Sequence, residues 1–141
     1  MTVSSVRALV VDDSATIRTF VKTALEHQGF EVTEAKSGFE ALKILPKERF
    51  NLIVTDVNMP DINGLELVKY VRKEEAHRGT PLIIISTDGR ERDRDRGMQL
   101  GATAYLVKPF KPEDLIALVR RVLEKGINVA PQMTTPVPKR S

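Results

Sequence analysis

The stretch VRALVVDDSATIRTFVKTALEHQG, residues 6–29, decides the reading of this chain. Val6 to Val11 is mostly apolar and reads as a first strand. Two carboxylates follow it directly, Asp12 and Asp13. From Ser14 the period changes, and Ile17, Phe20, Val21, Ala24 and Leu25 fall on one face of a helix. His27-Gln28-Gly29 closes that helix, with glycine where helices stop. A strand that ends in acids and runs straight into a helix is one βα unit with its polar residues at the strand's carboxyl end.

The unit recurs along the chain. Phe30 to Thr33 reads as a second strand, and Ser37 followed by Glu40 is a capping-box pattern that opens a second helix. Phe50 to Thr55 is a third strand. Asn63 with Glu66 repeats the capping pattern for a third helix, which buries Leu67, Val68 and Val71. Pro81 to Ile85 is the most apolar strand, and Ala102 to Val107 is the fifth. Pro112 starts a last helix, where proline is tolerated in the first turn, and that helix lines up Leu115, Leu118, Val119, Val122 and Leu123. The predicted fold class is α/β: a doubly wound (βα)5 chain with a five-stranded parallel sheet covered on both faces. Right-handed crossovers restrict the strand order to a few arrangements. In such sheets the site lies at the carboxyl ends of the strands, near the switch point.

Composition narrows the possibilities. At 141 residues the chain suits one domain with its own core. Residues 1–125 are predicted to form it. Residues 126–141 carry Pro131, Pro136 and Pro138 with Thr134, Thr135 and Lys139-Arg140, lack periodicity, and read as a disordered tail or linker stub. The net charge of +3 is small and the signs are mixed, so no direct nucleic-acid binding is expected. The absence of cysteine excludes disulfides and thiolate metal sites, and fits a reducing cytoplasm. No apolar run is long enough to span a bilayer, so no membrane insertion is expected, and Met1 to Ser5 carries no basic-then-apolar leader.

The strand ends gather the chemistry. The first strand ends in Asp12-Asp13, the third in Asp56 and the fourth in Ser86-Thr87, and the fifth is followed by Lys108-Pro109. Each has an ordinary reading on its own. Asp13 and Ser14 are good helix caps, Asp56 precedes the turn Met59-Pro60-Asp61, Ser86 can bond its own backbone, and Lys108 can be solvated. Together they bring carboxylates to one sheet edge, where their mutual repulsion is costly unless a cation neutralises it. Hard oxygen donors point to Mg2+. With no cysteine, and with His27 and His77 read as surface histidines away from this edge, a softer metal site is excluded.

These residues resemble the set found in receiver domains of bacterial two-component response regulators. The likeness runs from about Val6 to Lys125, and its most specific pieces are VVDDS (10–14), DVNMPDINGLEL (56–67) and YLVKPF (105–110). It implies a flavodoxin-like sheet of strand order 2-1-3-4-5. It implies that Asp56 is the phosphoacceptor, charged by a histidine kinase or phosphotransfer protein. Asp12 and Asp13 correspond to the Mg2+-binding acids, joined by Asp56 and by the main-chain carbonyl of Asn58. Lys108 corresponds to the lysine on phosphoryl oxygen, Ser86 to the switch hydroxyl and Tyr105 to the switch aromatic. Asn58 and Asp88 occupy positions that border the path of attacking water. The Lys108-Pro109 bond is often cis in this family.

The resemblance also implies a switch that loads and loses its own phosphoryl group, rather than a turnover enzyme. It implies output to a downstream protein through the fourth helix, fifth strand and fifth helix, from a monomer or a weak phosphorylation-dependent dimer. The chain departs from the family in having Thr87 after Ser86, where a small residue is usual. Strand alternation sends the two hydroxyls to opposite faces, and spacing favours Ser86. The segment RERDRDR, Arg90 to Arg96, reads as a solvated helix face or as a docking surface, and with Met98 and Leu100 as its main apolar anchors it is expected to be the least stable helix. A stand-alone chemotaxis-type regulator and a receiver cut from a longer regulator with a DNA-binding or enzymatic output both fit. An Asp-x-Asp phosphatase and a flavin carrier fit less well: the first would place its nucleophile on the first strand, and the second would need a Ser/Thr-rich phosphate loop where this chain has acids.

Overall fold

The computed structural model describes residues 6–87 and 91–125. Strands and helices alternate: β1 (Val6–Val11), α1 (Ala15–His27), β2 (Phe30–Ala35), α2 (Gly38–Ile44), β3 (Leu52–Asp56), α3 (Gly64–Lys73), β4 (Leu82–Ser86), α4 (Glu91–Leu100), β5 (Ala104–Val107) and α5 (Pro112–Lys125). The sheet is parallel throughout, in the order β2-β1-β3-β4-β5. The architecture is the expected doubly wound (βα)5, flavodoxin-like. The segment 126–141, expected to be a tail, lies outside the described residues, as do Asp88 and Arg90.

Period-2 alternation divides the core. Ala8 and Val10 of β1 face one layer with Val21 and Leu25 of α1 and Leu115, Val119 and Val122 of α5. Leu9 and Val11 face the other, with Ala41 and Leu45 around α2 and Leu67, Val68 and Val71 of α3. Each such Leu, Ile or Val, fully withdrawn from water, contributes about 1.5–3 kcal/mol. The central strands β3 and β4 are buried along their whole length and leave no room for charge before their last residues. Polar chemistry is therefore displaced to the strand ends.

Helix caps fall on the cap residues that the sequence patterns mark, but the partners within the boxes vary. Ser14 and Ser37 accept the N–H groups of Ile17 (3.3 Å) and Glu40 (3.0 Å), and Asn63 accepts that of Leu65 at 2.7 Å. Glu40, however, accepts from the N–H of Lys36 at 2.7 Å rather than from the cap residue itself. β2 runs on to Ala35 because pairing with β1 continues through Val11↔Ala35. β5 begins at Ala104, later than expected, because Ala102 donates its N–H to the Gly97 carbonyl (3.0 Å) and so completes the end of α4.

His77 corrects the reading of both histidines as surface groups. His27 is exposed, but His77 is 2% exposed. Its Nε2 lies 2.7 Å from the Leu45 carbonyl oxygen, so the loop after α3 tucks under the end of α2. Arg72 holds the same loop, donating to the carbonyls of Thr80 (2.8 Å), Arg78 (3.0 Å) and His77 (3.3 Å), and to Gly101 at 2.7 Å. Burial pushes the Arg72 pKa below its usual value. In α4, Met98 and Leu100 pack against the core as expected, with Gly97 buried and Asp95 and Arg96 exposed.

Candidate functional site

At the end of β1 the chain keeps pairing for one residue more, as Asp12 donates its N–H to Ala35 at 3.1 Å. This places the Asp12 side chain under the first turn of α1, where its Oδ1 accepts the Ser14 N–H at 2.9 Å. Asp12 is completely buried, whereas the next residue, Asp13, is exposed. Arg18 of α1 donates to the Asp12 carbonyl oxygen at 2.7 Å and to Glu34 at 3.0 Å. Lys22 donates to the other oxygen of Glu34 at 3.2 Å. Slight burial pulls the Glu34 pKa upward, and the bonds from Arg18 and Lys22 outweigh it and hold it below the ordinary carboxylate value.

Asp56 is the last residue of β3 and is 5% exposed. Behind it, Val57 donates to Ile85 (3.2 Å) and accepts from Gly64 (2.8 Å), which closes the β3–α3 loop into a tight bend. A Cβ on Gly64 would stand 2.1 Å from the Asp56 carbonyl oxygen, so glycine is a steric requirement there. Lys108 arrives from the end of β5, its N–H bonded to the Ser86 carbonyl at 2.7 Å and its peptide bond to Pro109 cis. Its Nζ lies 3.2 Å from Asp56 Oδ1 and 3.3 Å from Asp12 Oδ2.

The fold thus gathers Asp12, Asp13, Asp56 and Lys108, with one oxygen from each acid lying within 4.8 Å of the others. Three carboxylates face one ammonium. Burial raises the Asp56 pKa above its ordinary value, the charge of Asp12 raises it further, and Lys108 and the Val57 N–H pull it partly back. An all-oxygen donor set with excess negative charge fits a hard divalent cation such as Mg2+.

The other expected site residues are placed as follows. Ser86 ends β4 and is buried, while Thr87 is exposed. Asn58 presents an exposed side chain on the loop beyond Asp56. Tyr105 is half-buried and packs against the α2–α3 side of the core. Asp88 lies outside the described residues. Two residues close to the site drew no attention in the sequence. Arg18 sits on the polar side of α1, where a basic residue carries no mark. Asp61 read as an ordinary turn residue, and its partners are contributed by α2.

The sheet order and the acidic edge define a class: a flavodoxin-like α/β protein with a carboxylate-and-lysine cluster at the carboxyl ends of its strands. Comparisons give the family. The profile described as "Response regulator receiver domain" matches residues 8–120. A chemotaxis protein CheY homolog of Campylobacter jejuni is 41% identical over 122 residues, covering 85% of this chain and 94% of the relative. The phosphate regulon transcriptional regulatory protein PhoB of Escherichia coli is 35% identical over 119 residues, and there the match spans 84% of this chain and 52% of the relative. The solved structure of chemotaxis response regulator CheY4 of Vibrio cholerae aligns with a TM-score of 0.81 at 42% identity, covering 85% of this chain and all of that one. The chain belongs to the response regulator receiver domain family, and its fold is CheY-like.

Proposed function

We propose that this receiver is a phosphorylation switch in which Asp56 accepts a phosphoryl group from a histidine kinase or phosphotransfer protein. The observation that carries this reading is Lys108 Nζ set between the buried carboxylates of Asp56 and Asp12, at 3.2 and 3.3 Å. A carboxylate that attacks phosphorus is repelled by the phosphoryl oxygens, so the catalytic problem is positioning and charge neutralisation. Asp56 is held at the end of a fully buried strand, with its Oδ1 on Lys108 Nζ. Lys108 supplies a fixed positive charge within reach of the incoming oxygens. Asp12, Asp13 and Asp56, with the Asn58 carbonyl, would hold Mg2+, which when bound supplies further neutralisation of the phosphoryl charge. Ser86 and Tyr105 carry the change to the face formed by α4, β5 and α5, where a downstream protein reads it. The phosphoryl group is then lost by hydrolysis, so the chain acts as a timed switch and not as a turnover enzyme.

The test is uptake of phosphoryl from acetyl phosphate, followed by intact mass. The expected result is a gain of one phosphoryl group with Mg2+ and none in EDTA. Labelling that ignores EDTA would refute the metal-dependent reading.

A second reading has the same chemistry in a longer regulator. It is favoured by the likeness to PhoB, of which the match covers 52%. In that case the α4–β5–α5 face would contact an output domain instead of a separate protein.

A further inference from the structure

The β3–α3 loop that carries Asn58 is held on its outer side by Asp61. Its Oδ2 accepts the N–H of Phe39 at 2.8 Å and its Oδ1 that of Gly38 at 3.3 Å. These are the first two residues of α2, and their N–H groups have no partner within the helix. Ser37 takes the Glu40 N–H, so the start of α2 is capped partly by its own chain and partly by a loop more than 20 residues on. The approach is close: a Cβ on Gly38 would stand 2.7 Å from Ile62 Cβ and 2.8 Å from the Ile62 carbonyl oxygen. Slight burial pulls the Asp61 pKa upward, but the N–H donors of Phe39, Ile62, Asp61 itself and Gly38 outweigh it and keep it below the ordinary value.

We propose that Asp61 is a positioning residue for the cation site. It ties the loop to α2 and so fixes where the Asn58 main chain stands relative to Asp56. This rests on the phosphorylation reading above, in which the Asn58 carbonyl is a cation ligand. The inner side of the loop is fixed by Val57, bonded to Ile85 and Gly64, and by Met59, which is buried in the core, and the tether to α2 adds a polar constraint on its outer side. Without it the Asn58 carbonyl must be ordered at the moment the cation binds, and affinity falls.

The experiment is calorimetric titration with Mg2+ of the full chain, its Asp61→Ala and Asp61→Asn variants, and Ser37→Ala, each also melted in EDTA. Asp61→Ala should weaken Mg2+ binding about tenfold, in the range found for outer-shell partners of metal ligands. Asp61→Asn keeps one acceptor oxygen and should fall between the two. Ser37→Ala weakens the start of α2 without touching the loop, and should lower the melting temperature while leaving Mg2+ affinity unchanged. Asp61→Ala binding Mg2+ like the unaltered chain would overturn the proposal. So would an equal loss in Ser37→Ala, which would mean that α2 stability matters and the tether does not. If the unaltered chain does not bind Mg2+ at all, the underlying reading fails and the proposal fails with it.

Discussion

The Lys108 ammonium lies 3.2 Å from Asp56 Oδ1, across 52 residues of sequence, and both groups are largely shielded from water. The same nitrogen contacts buried Asp12. One ammonium thus touches both acids.

Lys108→Met should therefore destabilise the chain by about 3 kcal/mol in EDTA, as expected when one partner of a buried ion pair is removed. The methionine stem keeps the packing, so the loss reports charge. Added Mg2+ should restore part of it. Denaturant midpoints with EDTA and with Mg2+ would check this, and equal midpoints for the two proteins in EDTA would contradict it.

Asp56 predicts a pH dependence of the opposite sign from an ordinary paired carboxylate. Burial and the charge of Asp12 raise its pKa above 3.8, so the folded state binds the proton more tightly than the unfolded one. Ionised Asp56 thus costs stability. The cost is absent below the unfolded value of 3.8, grows as pH rises through the raised folded value, and is complete above it. Asp56→Asn should raise the melting temperature at neutral pH in EDTA, and the gain should vanish as the pH falls toward 3.8. A gain that is the same at all pH values would point to packing instead.

Much of this site was legible because strand ends in a two-sided sheet are the places where charge can go. Asp12, Asp56 and Lys108 stood out as polar residues directly after apolar runs. β1 and the start of α5 matched their sequence patterns closely, since an apolar run bounded by acids and a proline at a helix start are local features. The end of β2 was not legible, because Glu34 and Ala35 join the strand only through their pairing with Val10 and Val11. The burial of His77 was hidden for a similar reason. Its cover comes from Leu45, 32 residues away, and a lone histidine in a polar loop shows no periodicity. Asp61 looked like a turn former because its hydrogen-bond partners belong to α2.

The output route predicts where dynamics should change. Ser86 ends β4 beside Asp56, and Tyr105 pairs with Ile84 on the adjacent strand. A phosphoryl group at Asp56 offers acceptor oxygens to Ser86 and Lys108. A bias of a few kcal/mol suffices to shift a two-state element. Amide exchange with a beryllofluoride mimic should change across residues 86–108 and shrink greatly in Ser86→Ala. Changes confined to the surroundings of Asp56 would rule out this route.

The central claim is that Asp56 is the acceptor, and mapping the modified residue tests it most directly. The chain is charged with acetyl phosphate and Mg2+, reduced with borohydride to trap the acyl phosphate, digested and sequenced by mass. Asp56 should be the residue converted, and Asp56→Asn should take up no phosphoryl group. Conversion of Asp12 or Asp13, or undiminished labelling of Asp56→Asn, would contradict the account.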